Sequence, residues 1–326
     1  MRPRADGNRQ RGRRERTDRV RDRLAQRGPA SYDASMRFGY LSLSHASGIR
    51  PDVLGRELEQ RGFDSIWLPE HTNIPTSRKT PYPGGGALPP GYFTMMNPFV
   101  AGMAAASATK TLTIATGVCL LLQHEVIDLA KTVATLDSLS GGRVLLGIGV
   151  GWNEEELANA RPDLPFKLRY QAMEERVAAL RAIWTQNTPS FNGRWDKFTE
   201  TTVEPKPANG AVPIALGNAG PLGIGHAARY ADEWCPIDAS LLNTNGRPDV
   251  KGGIELFRRL ATEAGRSNPD QIPITVFSWT LPPASRLEQY REAGVHRIVA
   301  TPPTMDRHDE SATLTHLDRW NELVSA

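Results

Sequence analysis

Residues 130–156 read AKTVATLDSLSGGRVLLGIGVGWNEEE. The first part of this stretch continues a helical pattern that begins near Val126, and Gly141 with Gly142 predicts where that helix ends. The segment 143–149 is then apolar and rich in branched residues, which is typical of a buried strand of a parallel sheet. The glycine-rich end of that strand leads into an acidic helix start. The stretch therefore predicts one helix–strand–helix unit.

The same alternation of short apolar runs and helical windows continues in both directions from this unit. The strand candidates are 37–43, 64–68, 112–118, 143–149, 212–216, 233–237, 274–279 and 296–301. Helical windows follow near 51–61, 98–109, 126–139, 168–184, 220–231, 250–264, 284–293 and 310–324. Eight strands, each followed by a helix, predict an α/β fold of the (β/α)8 TIM barrel type. A doubly wound sheet split into two domains is the alternative, but no linker of shifted composition divides the chain.

Composition sets the domain organisation that we expect. Residues 1–35 carry 11 Arg against 5 acids and one aromatic residue, Tyr32, whereas 36–326 carries 28 Lys and Arg against 31 acids. We interpret 1–35 as a basic, disordered extension, with Met36 as a possible true start, and 36–326 as the barrel domain. A nucleic-acid-binding arm is the alternative for the extension. The mildly acidic body predicts no nucleic-acid or membrane partner.

Two further features bear on the class of protein. No apolar run approaches the ~18 residues of a membrane span, so we expect a soluble, cytoplasmic protein. The two cysteines, Cys119 and Cys235, make neither a disulfide framework nor a zinc set, and Cys119 lies in an apolar run where a buried inert thiol is expected.

Two segments interrupt the alternation of predicted strands and helices. Residues 72–98, rich in Pro and Gly, form a long loop insertion after strand 2, and loops of this length are often lids. This loop carries apolar and aromatic residues that predict a fairly apolar substrate beneath it: Tyr82, Tyr92, Phe93, Met95 and Met96. In the second segment, 188–213, the alternation of Phe191, Trp195 and Phe198 predicts a small hairpin or a cap.

Polar residues that directly follow barrel strands point to the active-site end of such a fold. Glu70 and His71 follow the second strand, and a histidine beside a carboxylate is a candidate proton donor near neutral pH. A histidine that only hydrogen-bonds the long loop is the alternative. Gly117 ends the third strand, where glycine often marks a bulge or the close approach of a ligand. We expect His124 to cap or position the next helix.

The fourth and fifth strands end in glycine-rich turns. Gly149 and Gly151, with Val150 and Trp152, let backbone amides approach a flat ring or a phosphate. The three acids at 154–156 could include a general acid, although most are expected to complement the helix dipole. Residues 217–220 place unpaired N–H groups at a helix start, which predicts an anion site, with an ordinary turn as the alternative.

The sequence shows no metal-ligand spacing and no nucleophile elbow. A redox cofactor held by backbone and glycine contacts fits these patterns best, but the residues alone do not name it.

The run 130–156, preceded by FDSIWLPEH (63–71) and followed by PIALGNAGPLGIGHAARYADEW (213–234), closely resembles the bacterial luciferase-like superfamily. It is most similar to the coenzyme F420-dependent oxidoreductases of that superfamily. The resemblance covers nearly all of 36–326. It implies a (β/α)8 barrel that binds a deazaflavin in its mouth, acts on a small organic molecule and forms a homodimer through helices near strands 2 and 3.

The resemblance also implies roles for individual residues. His71 would lie near the reactive carbon of the ring, and Gly117 with Val118 would carry a non-prolyl cis peptide that backs it. The loop beside the cofactor would be Gly149, Val150, Gly151 and Trp152. The segment that holds the phosphate tail would be Gly217, Asn218, Ala219 and Gly220.

Some relatives carry a general-acid glutamate where this chain has Trp152, so Glu70 and His71 are the catalytic candidates here. A glucose 6-phosphate type of substrate is not supported, because no Lys/Arg set is evident for its phosphate. The alternatives are a reduced-FMN-dependent monooxygenase of the same superfamily and a non-catalytic cofactor-binding barrel.

Overall fold

The computed structural model describes residues 36–217, 220–243, 245–302 and 309–325. The strands in these ranges are β1 (Arg37–Leu41), β2 (Ser65–Leu68), β3 (Thr113–Thr116), β4 (Cys119–Leu120), β5 (Val144–Gly149), β6 (Phe191–Asn192), β7 (Lys197–Phe198), β8 (Ile214–Leu216), β9 (Glu233–Trp234), β10 (Thr275–Ser278) and β11 (Arg297–Ala300). The helices are α1 (Pro51–Gln60), α2 (Pro98–Ala108), α3 (Val126–Ser140), α4 (Glu154–Ala160), α5 (Arg169–Thr185), α6 (Pro221–Tyr230), α7 (Val250–Glu263), α8 (Ala284–Glu292) and α9 (Glu310–Ser325). Residues 1–35, Asn218 and Ala219 lie outside the described residues, so the expectations stated for them stay predictions.

The parallel strands form a barrel. Their order is β10, β11, β1, β2, β3, β5, β8 and β9. Two parallel bridges, Trp234 to Ile274 and Ile237 to Phe277, connect β9 to β10 and bring the two ends of the sheet together. Each predicted strand and helix window contains an observed element of that type. The predicted α/β class and (β/α)8 TIM barrel are confirmed.

Local sequence signals account for the ends of the helices. The side chain of Asn97 accepts hydrogen bonds from the backbone N–H groups of Phe99 and Val100, and thereby caps α2. Helix α3 ends where Gly141 adopts a left-handed backbone with φ of 75°, as the glycine pair predicted. The cap of α3 is Glu125, whose side chain accepts from the N–H of Asp128. His124 was expected to cap or position this helix; the capping role is wrong, and the positioning role stays a prediction.

Side chains fill the interior of the barrel, so no channel runs through the part that the structure describes. A compact layer of buried side chains occupies it: Leu41, Trp67, Ala115, Leu145, Ala215, Cys235, Phe277 and Val299. Beneath this layer, at the amino ends of the strands, Arg297 bonds the carboxylates of Asp64 and Glu233 at 2.9 and 2.8 Å. The larger apolar core lies between the strands and the surrounding helices. The carboxyl ends of the strands remain free to line a cavity.

The third strand does not run continuously from 112 to 118 as the sequence suggested. Ala115 pairs with Leu145, and Cys119 pairs with Ile148, so four residue steps on one strand match three on the other. The extra residue is a bulge that takes Gly117 and Val118 out of the sheet. The peptide bond between these two residues is cis, as the resemblance implied.

The second irregular segment forms the predicted hairpin. Phe191 pairs with Phe198, and Asn192 pairs with Lys197, in antiparallel register. A buried ion pair of 2.7 Å between Arg176 of α5 and Asp196 holds the hairpin against the barrel. Among the residues that the structure describes, no helix combines the length and the apolar character needed to span a membrane.

Candidate functional site

A cavity of about 490 Å³ opens at the carboxyl ends of the strands. Residues after β1, β2, β3, β5, β8, β9 and β10 contribute to its wall. All ten described residues that the sequence predicted to be catalytic or cofactor-binding line this one cavity: Glu70, His71, Gly117, Val118, Gly149, Val150, Gly151, Trp152, Gly217 and Gly220. Residues up to 150 positions apart in the chain therefore share one site, as the barrel topology requires.

Val118 occupies the centre of the glycine-rich wall. A Cβ atom added to Gly149 would lie 2.5 Å from Val118 Cγ2, and one added to Gly217 would lie 2.9 Å from Val118 Cγ1. Both distances are far below the 3.5–4.0 Å of a normal carbon–carbon contact. Two of the glycines thus keep the wall free of side chains so that Val118 can pack between them, while Val118 itself remains partly exposed to the cavity.

Glu70 is engaged in a closed network. Its carboxylate accepts from the N–H of Leu120 at 2.7 Å and contacts Nε2 of His124 at 2.9 and 3.0 Å, and the thiol of Cys119 is a further partner. Burial raises the pKa of Glu70, but the hydrogen bonds and the charge of His124 outweigh it and hold the pKa below its ordinary value. An ionised carboxylate with these partners is a poor proton donor.

The same network brings ligand-type atoms of Glu70, Cys119 and His124 within 4.8 Å of one another, a spacing that a metal ion could bridge. Burial and the neighbouring Glu70 charge raise the pKa of Cys119 well above its ordinary value, so this thiol stays protonated. The hydrogen bonds among these three residues explain why they lie close together, and we do not assign a metal site to them.

His71 has a different carboxylate as its partner. Its Nδ1 lies 2.9 Å from Oε2 of Glu156 in α4, and the two side chains are 7% and 1% exposed. The adjacent Glu70 faces His124 instead. The sequence predicted His71 as a site residue. It did not indicate Glu156 as the partner of His71, because the two residues are 85 positions apart.

Four rings form an aromatic roof above the cavity: His71, Tyr82, Tyr92 and Trp152. The ring centroids lie 5.1 Å apart for His71 and Tyr92, and 5.8 Å apart for Tyr82 and Trp152. The hydroxyl groups of the two tyrosines are 3.4 Å apart. Burial raises the pKa of Tyr92, which therefore remains a neutral phenol. The roof joins the loop insertion after β2 to the turn after β5.

Glu155 anchors the loop insertion. Its carboxylate accepts hydrogen bonds from the hydroxyl of Ser77, from the backbone N–H groups of Lys79 and Thr80, and from the hydroxyl of Thr80. These bonds lower the pKa of Glu155 to about 2. The three acids at the start of α4 thus have three positions: Glu154 is exposed, Glu155 binds the loop, and Glu156 binds His71.

Arg169, at the start of α5, is a cavity residue that the sequence analysis missed. It lines the same cavity as Gly217 and Gly220, and its guanidinium lies 3.8 Å from the ring centroid of Phe166. One N–H group donates to the carbonyl of Phe166 at 3.0 Å, whereas the buried Nε has no partner among the described residues. A lone arginine in a helical window carries no distinguishing sequence signal.

These features fit a flat cofactor with an anionic tail. The glycine-rich wall around Val118 presents backbone instead of bulky side chains, and Arg169 offers a buried, unpartnered donor. The start of α6 lies beside Gly220, and the N-terminus of a helix favours an anion.

The family model described as luciferase-like monooxygenase matches residues 36–320. The chain belongs to this family. An uncharacterised protein of Mycobacterium tuberculosis is 32% identical over 286 residues, which cover 86% of this chain and 97% of that protein. An F420-dependent glucose-6-phosphate dehydrogenase of Amycolatopsis mediterranei is 26% identical, with 71% of this chain and 67% of the relative covered. An FMNH(2)-dependent dimethylsulfone monooxygenase of Pseudomonas putida is 31% identical over a shorter stretch, 42% of this chain and 37% of that protein.

Solved structures show the same fold. The monooxygenase RslO1 from Streptomyces bottropensis superposes with a TM-score of 0.70 at 16% identity, over 88% of this chain and 98% of that one. An F420-dependent secondary alcohol dehydrogenase superposes with a TM-score of 0.66 at 18% identity, over 89% and 98%. The family is therefore one of oxidoreductases and monooxygenases, and its members use either a deazaflavin or a flavin.

Proposed function

We propose that the protein is a coenzyme F420-dependent oxidoreductase that transfers hydride between the deazaflavin and a small, fairly apolar organic substrate. The observation that carries this proposal is the single cavity that combines the glycine-rich wall around Val118 with His71 at its rim. The similarity to a relative named as an F420-dependent dehydrogenase over 71% of the chain supports the same choice.

The residues that would hold the cofactor follow from the wall. Gly117, Val118 and residues 149–152 would contact the ring system, while residues 217–220 and Arg169 would bind the anionic tail. When bound, the deazaflavin supplies a carbon that donates or accepts hydride. The roof and the loop insertion would exclude water from that side of the cavity.

His71 is the residue that we assign to proton transfer. It lines the cavity and its Nδ1 is occupied by Glu156, which leaves Nε2 as the atom available to a substrate. Glu70 lines the cavity as well, but Leu120, His124 and Cys119 hold its carboxylate. We therefore assign Glu70 a positioning role rather than the proton-donor role that its sequence neighbourhood suggested.

The cavity wall indicates the class of substrate. Its side chains away from the glycines are mainly apolar and aromatic, and they include Leu41, Leu43, Ile237, Phe277 and Trp279. Arg169 is the one Lys or Arg side chain among the described cavity residues. This wall favours an apolar alcohol, ketone or enone over a sugar phosphate.

A reduced-FMN-dependent monooxygenase is the second candidate, because one relative is named as FMNH(2)-dependent and shares 31% identity over 140 residues. A non-catalytic cofactor-binding barrel is a third candidate, but the open cavity and the buried His71–Glu156 pair argue against it.

Anaerobic titration of the cofactor-free protein with F420 and with FMN separates these candidates. We expect micromolar or tighter binding of F420 and weaker binding of FMN. A screen of reduced and oxidised F420 against alcohols, ketones and enones then follows, with His71→Ala as the variant that should lose turnover. Binding of FMN alone would contradict the cofactor assignment, and unchanged turnover in His71→Ala would remove that residue from the reaction.

The homodimer implied by the resemblance also stays a proposal. Helix α2 is apolar on most of its surface, and the side chains of Val100 and, on α3, Leu139 are 72% and 66% exposed. A second copy of the chain would cover this face, and sedimentation equilibrium of the full chain tests it.

A further inference from the structure

The carboxylate of Glu156 is buried against His71 and has no other side-chain partner among the described residues. Its side chain is 1% exposed, Oε2 lies 2.9 Å from Nδ1 of His71, and Oε1 has no hydrogen-bond partner in the part of the chain that the structure describes. We propose that Glu156 is the positioning residue that fixes the proton of His71 on Nδ1 and presents Nε2 to the substrate. This inference rests on the proposed function, because it concerns the same cavity.

The chemistry of the contact sets the position of the proton. An ionised carboxylate can only accept hydrogen bonds, so Nδ1 must carry the hydrogen that lies between the two groups. In a neutral imidazole the other nitrogen then has a free lone pair, and it can accept a proton or release one that it has taken up. Among the described residues, Nε2 has no hydrogen-bond partner that would compete for this lone pair.

The two buried glutamates of the site differ in a way that points to this role. Glu70 accepts from Leu120 and contacts His124, in a network that ties β2 to the segment after β4. Within the described ranges, Glu156 has no such structural network, and its side chain forms a hydrogen bond only with His71. Burial of a carboxyl oxygen without a hydrogen-bond partner is costly, and the arrangement holds the His71 ring in one orientation.

A hydrogen bond to its backbone fixes the position of Glu156. Asn153 precedes α4, and its side chain accepts from the N–H of Glu156 at 3.3 Å. On the other side, the His71 ring packs at 5.8 Å from Trp152 and 5.1 Å from Tyr92, measured between ring centroids. The imidazole is therefore held by contacts with the Trp152 and Tyr92 rings and by Glu156 at one edge.

Nitrogen NMR of the full chain labelled with ¹⁵N-histidine tests the proposal without any cofactor or substrate. His71→Asn assigns the signals of His71. We expect Nδ1 to show the shift of a protonated nitrogen and Nε2 that of an unprotonated one in the wild-type protein. Glu156→Leu, which has similar volume but no acceptor, should convert the signals to a mixture that includes the Nε2–H form. Glu156→Gln, whose amide oxygen can still accept, should retain the Nδ1–H form.

Glu154→Gln is the matched control, because Glu154 is exposed on the same helical turn and its loss should leave the His71 signals unchanged. A wild-type spectrum with the proton on Nε2 would overturn the proposal even if Glu156→Leu did not fold. An unchanged spectrum in a folded Glu156→Leu protein would overturn it too.

A second readout distinguishes this inference from the proposed function. With a substrate from the screen, Glu156→Leu should lower kcat about 10- to 100-fold while KM and the F420 Kd stay near wild type. If His71→Ala abolishes turnover and Glu156→Leu does not lower it, the positioning role alone fails. If F420 does not bind to any of these proteins, the proposed function fails while the tautomer result still stands.

Discussion

A methyl group added to the cavity wall at Gly149 should destabilise the protein through one specific contact. The Cβ atom of Gly149→Ala would lie 2.5 Å from Val118 Cγ2, which is about 1 Å closer than a normal carbon–carbon contact. Rotation of the Val118 side chain offers little relief, because its other methyl group faces Gly217. Overpacking of this kind costs about 1–3 kcal/mol, which corresponds to a decrease in Tm of roughly 2–5 °C for a domain of this size.

The double variant Gly149→Ala/Val118→Ala tests whether the contact with Val118 causes the predicted destabilisation. Shortening Val118 removes Cγ2, and the nearest remaining atom, Val118 Cβ, is at an ordinary 3.5 Å from the new methyl group. The double variant should therefore be more stable than the sum of the two single effects by about 1–3 kcal/mol. Gly225→Ala in α6 is the control, because its added Cβ meets nothing closer than 3.9 Å, and it should be neutral or slightly stabilising.

Urea unfolding followed by circular dichroism measures these free energies. If Gly149→Ala were as stable as the wild type, or if Val118→Ala gave no rescue, the assignment of this glycine to the packing of Val118 would be wrong.

Three further predictions follow from the site. Glu70→Gln should lower the free energy of unfolding at neutral pH by about 1–3 kcal/mol, measured by urea unfolding. Because the folded-state pKa of Glu70 is below its ordinary value of 4.5, its stabilisation is present above pH 4.5 and is lost as the pH falls through the folded-state pKa. The wild type and the variant should therefore converge in acid, and a constant difference would contradict this. Glu155→Ala removes the acceptor for Ser77 and Thr80 and should speed limited proteolysis within 72–97, with Glu154→Ala as the control; equal cleavage rates would refute the anchor. Arg169→Met should weaken F420 binding about tenfold or more, as expected for a charged hydrogen bond, and an unchanged Kd in a fluorescence titration would exclude Arg169 from the tail site.

The barrel was predictable because its signals are local. Each buried strand corresponds to a short run of branched apolar residues, and capping residues such as Asn97 and Gly141 mark the ends of the helices. The residues at the strand ends could also be placed together, because topology alone brings the carboxyl ends of parallel strands to one rim. Gly117 indicated a bulge or a close ligand approach at the end of the third strand, but the choice between them required the register of β3 and β4 against β5, which is a long-range pairing.

The partners of the site residues were not predictable in the same way. The sequence places Glu70 directly beside His71, yet successive residues of an extended segment point to opposite sides, and the two side chains bind different partners. His71 pairs with Glu156 across 85 positions, and Glu70 pairs with His124 across 54. The glycines were correctly placed in the wall, but the reason for two of them, the packing of Val118, required the coordinates of three separate turns.

A crystal structure of the protein grown with F420 tests the assignment of the cavity as the cofactor site. We expect ring density in the cavity bounded by Gly117, Val118 and residues 149–152, with the anionic tail at Arg169 and Gly220. Cofactor density at another place, such as the 280 Å³ groove between the start of α7 and the end of α8, would contradict this assignment. A cavity closed by the protein's own side chains would contradict it as well.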